Sequence, residues 1–288
     1  MLRAGVGAVR RYTGVVLTLY LAQAMLAIAA MLGVAAILIG AFGDRPLLDQ
    51  AVDGDLVALV EIVRAAPQVV WGSLGVVVAI AATWAIASWL LTGGLLAVLR
   101  DQPDGRAATA RVFGAGAVDM FLAFARLGLL SLLLHVLVVA TASASFDAMA
   151  TRLLVALSTS DLVWALVVGL APPLLVRLAL VTLADLARAD LAARAGVGGR
   201  GVIRAYLRAL ALVLRRPAVT LGHAGLAGLL HVAILAGFAW LASGHLLLGA
   251  GGAITLFIVR QGVALLRLAV TVGAIAGQHA LVRTLPPA

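Results

Sequence analysis

The chain contains no cysteine, no lysine and no asparagine, and Glu61 is its one glutamate. Without cysteine there is no disulfide, no thiol nucleophile and no thiolate metal site. A single glutamate leaves little material for paired-carboxylate acid–base chemistry. No Walker A run, no G-x-S-x-G and no H-E-x-x-H occurs. These absences argue against an enzyme and against a bound cofactor or metal. Five histidines are scattered at His135, His223, His231, His245 and His279. His223 and His231 stand roughly 12 Å apart along a helix, too far to share one ion without other ligands.

Charge is scarce as well. Charged residues make up 11% of the 288 positions and hydrophobic residues 64%, against about 45–50% apolar in an ordinary soluble domain. A soluble fold of this length has no interior large enough for that surface. A bilayer does, at roughly 20 apolar residues per crossing. Six apolar runs predict an all-α polytopic bundle of six transmembrane helices, in one transmembrane domain over residues 1–288. The spans fall at about 13–42, 68–99, 118–140, 162–186, 218–242 and 247–282. The first run, Tyr12 to Gly43, is longer than the apolar stretch of a cleaved signal peptide. It reads as an uncleaved first span. The fifth and sixth spans require a tight turn near Ser243-Gly244-His245.

The positive charge, +9 net, is all arginine. Abundant Ala, Gly and Arg without Lys or Asn matches the codon bias of a GC-rich bacterial genome. The distribution carries more information. Arg3, Arg10 and Arg11 precede span one; Arg100, Arg106 and Arg111 join spans two and three. Arg188, Arg194, Arg200, Arg204, Arg208, Arg215 and Arg216 join spans four and five, and Arg283 follows span six. The alternate gaps hold only Arg45, Arg64 and Arg152, together with Asp44, Asp49, Asp53, Asp55, Glu61 and Asp147. Fourteen against three is a strong positive-inside bias. It places both termini in the cytoplasm of a multi-pass protein of the bacterial inner membrane. The same bias accounts for the basic composition without a nucleic-acid partner.

Two connectors carry helical amphipathicity. Between Gly201 and Pro217, Arg204, Arg208 and Arg215 fall within about 40° of one another at 100° per residue. Ile203, Leu207, Leu210 and Leu214 cluster on the adjoining side. The pattern predicts a basic interfacial helix whose Arg204, Arg208, Arg215 and Arg216 meet the headgroups of an anionic inner leaflet. On the opposite side, Gly54 to Arg64 sets Leu56, Val57, Val60 and Val63 at helical spacing.

Charges inside spans need partners, because a central arginine costs about 2.5–3.5 kcal/mol to insert. Arg260 and Arg267 lie seven residues apart on nearly one face of span six. Arg126 and Arg177 lie in the inner parts of spans three and four, with Asp119 and Asp185 near the inner ends of the same helices. These six form a candidate intramembrane polar network, facing the bundle interior as helix-locking ion pairs or as a polar path.

Glycines add two patterns. Gly196 to Gly201 matches G-x-G-x-x-G, but between basic helical segments it reads as a hinge and not as a nucleotide loop. Gly273 and Gly277, with Gly222, Gly225 and Gly228, supply small-residue faces for close helix packing within the chain or between copies. Spans two and three, and spans four and five, are also two hairpins around arginine-rich inner loops, an echo of the repeats seen in transporters.

Asp185-Leu-Ala-Arg188-Ala-Asp190 with Leu214-Arg215-Arg216-Pro217, Val259-Arg260-Gln261, Leu265-Leu266-Arg267 and Gly277-Gln278 together form a pattern. Joined to Gly93-Gly94, it resembles an uncharacterised family of bacterial six-span inner-membrane proteins from GC-rich lineages. The resemblance runs from about Thr92 onward. It implies an all-helical bundle and brings no activity with it. The residues support a non-enzymatic accessory or scaffold component of a membrane assembly, with a membrane-protein partner or a homo-oligomer. The alternative is a transporter or permease-like protein with an arginine-lined path. A lipid-acting membrane enzyme is a third class, but no nucleophile stands out at an interface.

Overall fold

The computed structural model describes residues 2–43, 50, 56–155, 158–194, 201–243 and 250–284. Asp44, Arg45, Asp49, Asp53, Asp55, Arg200, the Gly196–Arg200 hinge and the Gly244-His245 turn lie outside the described residues. Leucine and alanine, both strong helix formers, dominate the remainder, and among the described residues there are ten helices and no strand. They are α1 (Leu2–Arg11), α2 (Thr13–Phe42), α3 (Leu56–Ala65), α4 (Pro67–Asp101) and α5 (Arg106–Leu134). After them come α6 (Val136–Leu154), α7 (Thr159–Ala193), α8 (Val202–Arg215), α9 (Pro217–Ser243) and α10 (Ala250–Arg283).

Six of the helical stretches are long and apolar enough to cross a membrane. The fourth expected span runs to Ala193, seven residues past its limit, while spans one, two, five and six keep theirs to within a few residues. The third does not: α5 and α6 run on through His135 as one rod of 49 residues, about 73 Å long. The expected span of 118–140 is its middle. Arg106, Arg111, Asp147 and Arg152 read as loop charges, yet all are exposed on the ends of this rod. Only its middle needs the roughly 30 Å hydrocarbon layer, so charges at its ends do not terminate it.

Helix ends follow local chemistry. Gln102 adopts the left-handed region (φ 48°) and its N–H reaches the Val98 carbonyl at 3.0 Å. Pro103 follows and stops α4. Ser158 caps α7: its Oγ accepts from the Asp161 N–H at 3.2 Å while the Asp161 carboxylate accepts from the Ser158 N–H at 3.1 Å, a reciprocal box. Pro172 and Pro173 sit inside α7, and the helix continues through them, as membrane helices tolerate.

The chain divides into two compact units, residues 17–88 and residues 1–16 with 89–288. In the smaller, the end of α2 packs on α3 and the start of α4 through Phe42, Ile62, Ala66 and Val69. In the larger, α7 is the hub, packing against α5, α6, α8, α9 and α10. Its core joins Ala184, Leu186 and Ala187 of α7 to Tyr206 and Leu212 of α8 and to Leu281 and Val282 of α10.

The N-terminal basic stretch forms a helix of its own. α1 packs on α10, and a Cβ built on Gly5 would come within 2.5 Å of the Gly273 carbonyl oxygen. The two backbones touch there because neither residue has a side chain. At the end of α1, Arg11 pairs with Asp104 at 2.7 Å and lies 5.5 Å over the Tyr12 ring. Burial raises the Tyr12 phenol above its ordinary value, against the pull of the Arg11 guanidinium.

Candidate functional site

The four arginines within spans do not converge. Arg126 of α5, Arg177 of α7, and Arg260 and Arg267 of α10 are all exposed. Among the described residues none of them has an ion-pair or hydrogen-bond partner through its side chain. Arg177 lies near the midpoint of the 35-residue α7, and Arg267 near the midpoint of the 34-residue α10. Asp119 is exposed on α5. Asp185 pairs with Arg188 one turn along its own helix, at 2.8 Å, and not with Arg126 or Arg177. An i, i+3 neighbour is already positioned on the helix surface, whereas a partner on another helix needs matching depth and face. Of the six, Asp185 is held in a local pair, and the four arginines stand exposed without an ion-pair partner among the described residues.

A second charged cluster forms where α7 meets α8. Asp190, 5% exposed, accepts from Arg194 Nε at 2.9 Å. It also accepts from Arg208 Nε at 2.9 Å, with Arg208 Nη2 on the same oxygen. Arg100 pairs with Asp101 at 2.6 Å and reaches the Ala192 carbonyl at 3.5 Å. Gln278 and His279 of α10 are buried. Among the described residues Arg188 Nε, Tyr206 Oη, Gln278 Oε1 and His279 Nε2 are buried without a protein partner. Buried polar atoms are paired in the great majority of cases, so this junction retains capacity for water or a further polar group. Sequence spacing could not reveal it, since Asp190 and Arg208 are joined across a loop.

The headgroup assignment of α8 divides accordingly. Arg204, Arg215 and Arg216 are exposed, while Arg208 is committed to Asp190. At 100° per residue α8 has three sectors. Ala205, Tyr206, Ala209, Leu212 and Val213 are buried against the bundle. Ile203, Leu207, Leu210 and Leu214 are exposed, and the arginines occupy the third sector.

Three of the described histidines make hydrogen bonds within or between helices. His223 Nε2 lies 3.2 Å from the Ala274 carbonyl and His231 Nε2 3.3 Å from Thr271 Oγ1, so both join α9 to α10. His135 Nδ1 lies 2.7 Å from the Ser131 carbonyl. Among the described residues no group of His, Asp or Glu could hold a metal ion. Of the glycine faces, Gly273 serves α1, whereas Gly222, Gly225 and Gly228 have open space where a Cβ would stand.

The basic connectors share one end of the larger unit. Arg11 touches Asp104 between α4 and α5, Arg100 touches the end of α7, and Leu281 and Val282 pack with α8. Apolar length and charge placement then agree. The chain is a multi-pass integral membrane protein. No protein-family model, no curated protein and no solved structure matches it, so its role rests on the residues themselves.

Proposed function

We propose that the chain is a non-enzymatic component of a membrane assembly, which receives an acidic or strongly hydrogen-bonding partner helix on its arginine-bearing face. The observation that carries this reading is the exposure of Arg177 and Arg267 near the midpoints of α7 and α10. A centred helix puts such residues about 15 Å from either edge of the hydrocarbon, beyond the reach of a guanidinium that snorkels. Leaving each against lipid costs about 2.5–3.5 kcal/mol. No acidic residue occurs in α2, α9 or α10, and Asp185 and Asp190 are already paired. A partner supplied from outside the chain resolves the imbalance.

The positive-inside bias and the clustering of basic connectors at one end support both termini on the cytoplasmic side. Codon-type composition supports a bacterial inner membrane. Exposed arginines without an acidic partner among the described residues support the scaffold reading.

The test is a photo-crosslinking amino acid at Leu266, which is 52% exposed beside Arg267, in cells that express the chain natively. The expected result is a discrete membrane adduct heavier than the 29.3 kDa chain, lost when Arg177→Leu and Arg267→Leu are combined. Lipid-only adducts in both backgrounds would overturn the reading.

A further inference from the structure

We infer that the groove between α1, α9 and α10 is a binding site for one anionic phospholipid of the surrounding bilayer. One of its two acyl chains would lie in the groove, with its phosphate held by Arg10 and Arg3.

The groove has a volume of about 300 Å³, at the lower end of the pockets that hold small ligands, about 300–1,000 Å³. Its walls are aliphatic, with Val6 and Val9 from α1 and Leu226 and Leu230 from α9. The polar side chains at its lining are Arg10 and His223. His223 already points one ring nitrogen at the Ala274 carbonyl, which leaves Arg10 as the free charge.

The groove is built by contacts among its own lining residues and one pair beside them. His223 to Ala274 and His231 to Thr271 fasten α9 to α10 and make the floor. The Gly5–Gly273 approach presses α1 onto α10 and makes the wall. On α1, Gly5, Val6 and Val9 face the groove. Arg3 and Arg10 fall within about 20° of each other beside that face. Both are exposed. Among the described residues neither has an ion-pair partner, whereas the neighbouring Arg11 is occupied by Asp104.

Charge complementarity selects the occupant. An apolar trough whose lining carries the free guanidinium of Arg10 and no Asp or Glu, with Arg3 on the same side of α1, matches an aliphatic chain ending in a phosphodiester. Arginine forks suit phosphate oxygens. A zwitterionic lipid offers the same chain but sets a cation beside the arginines. A second protein helix is too wide for the volume, since a helix with side chains measures about 10–12 Å across. The inference stands apart from the scaffold reading, which concerns the exposed arginines of α7 and α10.

The experiment is native mass spectrometry of the full chain released from detergent, after titration with phosphatidylglycerol or phosphatidylcholine. Three proteins are compared: the parent, Arg3→Ala with Arg10→Ala, and Ala227→Phe, which fills the groove without changing charge. Thermal unfolding in detergent confirms that each remains folded. One phosphatidylglycerol is expected to bind in preference to phosphatidylcholine. The double arginine variant is expected to weaken it roughly thirty-fold, and Ala227→Phe to remove the one-to-one complex. Equal binding of both lipids, or loss in the arginine variant with Ala227→Phe unchanged, would overturn the site and indicate surface adsorption. Should Ala227→Phe not fold, Leu226→Trp replaces it with the same two outcomes.

Discussion

Arg208 on the surface helix α8 donates through two guanidinium nitrogens to the buried carboxylate of Asp190, eighteen residues earlier. The pair crosses the loop between α7 and α8 and fastens an amphipathic helix to the bundle. A hydrogen bond to a charged group contributes about 1.5–3 kcal/mol. Arg208→Leu is expected to lower stability by that amount in detergent-based thermal unfolding. Arg204→Leu, at an exposed position on the same helix, is expected to stay within about 0.5 kcal/mol of the parent. Equal effects from both would separate α8 from Asp190.

The contact of α1 with α10 is asymmetric. A Cβ on Gly5 would fall 2.5 Å from a backbone oxygen, whereas one on Gly273 would meet its nearest neighbour at 3.7 Å. Gly5→Ala is therefore expected to destabilise by about 1–3 kcal/mol. Gly273→Ala is expected to be neutral or better, since alanine is favoured over glycine in a helix by about 0.5–1 kcal/mol. Thiol labelling of Val9→Cys in each background reports whether α1 has lifted.

Insertion of α10 alone should respond to its central charge. On the translocon scale a mid-helix arginine costs about 2.5–3.5 kcal/mol and a leucine gains a few tenths. Arg267→Leu is expected to improve insertion by about 3 kcal/mol in a glycosylation-mapping assay. No gain would place Arg267 away from the hydrocarbon centre.

The bond between His231 and Thr271 joins α9 to α10. Membrane interhelical hydrogen bonds average about 0.6 kcal/mol in double-mutant cycles. Thr271→Val is expected to cost that much with His231 present and nothing in a His231→Ala background.

Because the chain has no native cysteine, single cysteines report sidedness without background. Ala4→Cys, Thr109→Cys, Ala211→Cys and Thr284→Cys are expected to label only from the cytoplasmic side, and Val63→Cys only from the other. Any reversal among the first four would break the proposed orientation.

Span number and most span limits were legible because uncharged runs of this length have one physical use. The amphipathic α8 was legible from period alone. α1 was not: Gly5 and Gly7 weaken the helical signal in a ten-residue stretch, and only Val6 and Val9 beside Arg3 and Arg10 betray a face. The rod of α5 and α6 exceeds the expected 118–140 because charges at its ends do not interrupt a helix that continues beyond the hydrocarbon layer. Ion-pair partners were hardest. Depth along a span allows either Asp119 or Asp185 for Arg126 or Arg177, but Asp185 is held by the nearer Arg188 on its own helix. Asp190 with Arg208 depends on how a loop returns, which periodicity does not encode.

The Gly5–Gly273 contact sets an order of events for biosynthesis. The ribosome makes the two halves of this contact at opposite extremes of the chain, so at about 5–20 residues per second the first waits on the order of tens of seconds for the second. During that wait Val6 and Val9 have only the headgroup boundary to rest on. Helix α1 is then the last piece seated, and a bulky fusion just before it would obstruct the closing step and not the earlier ones.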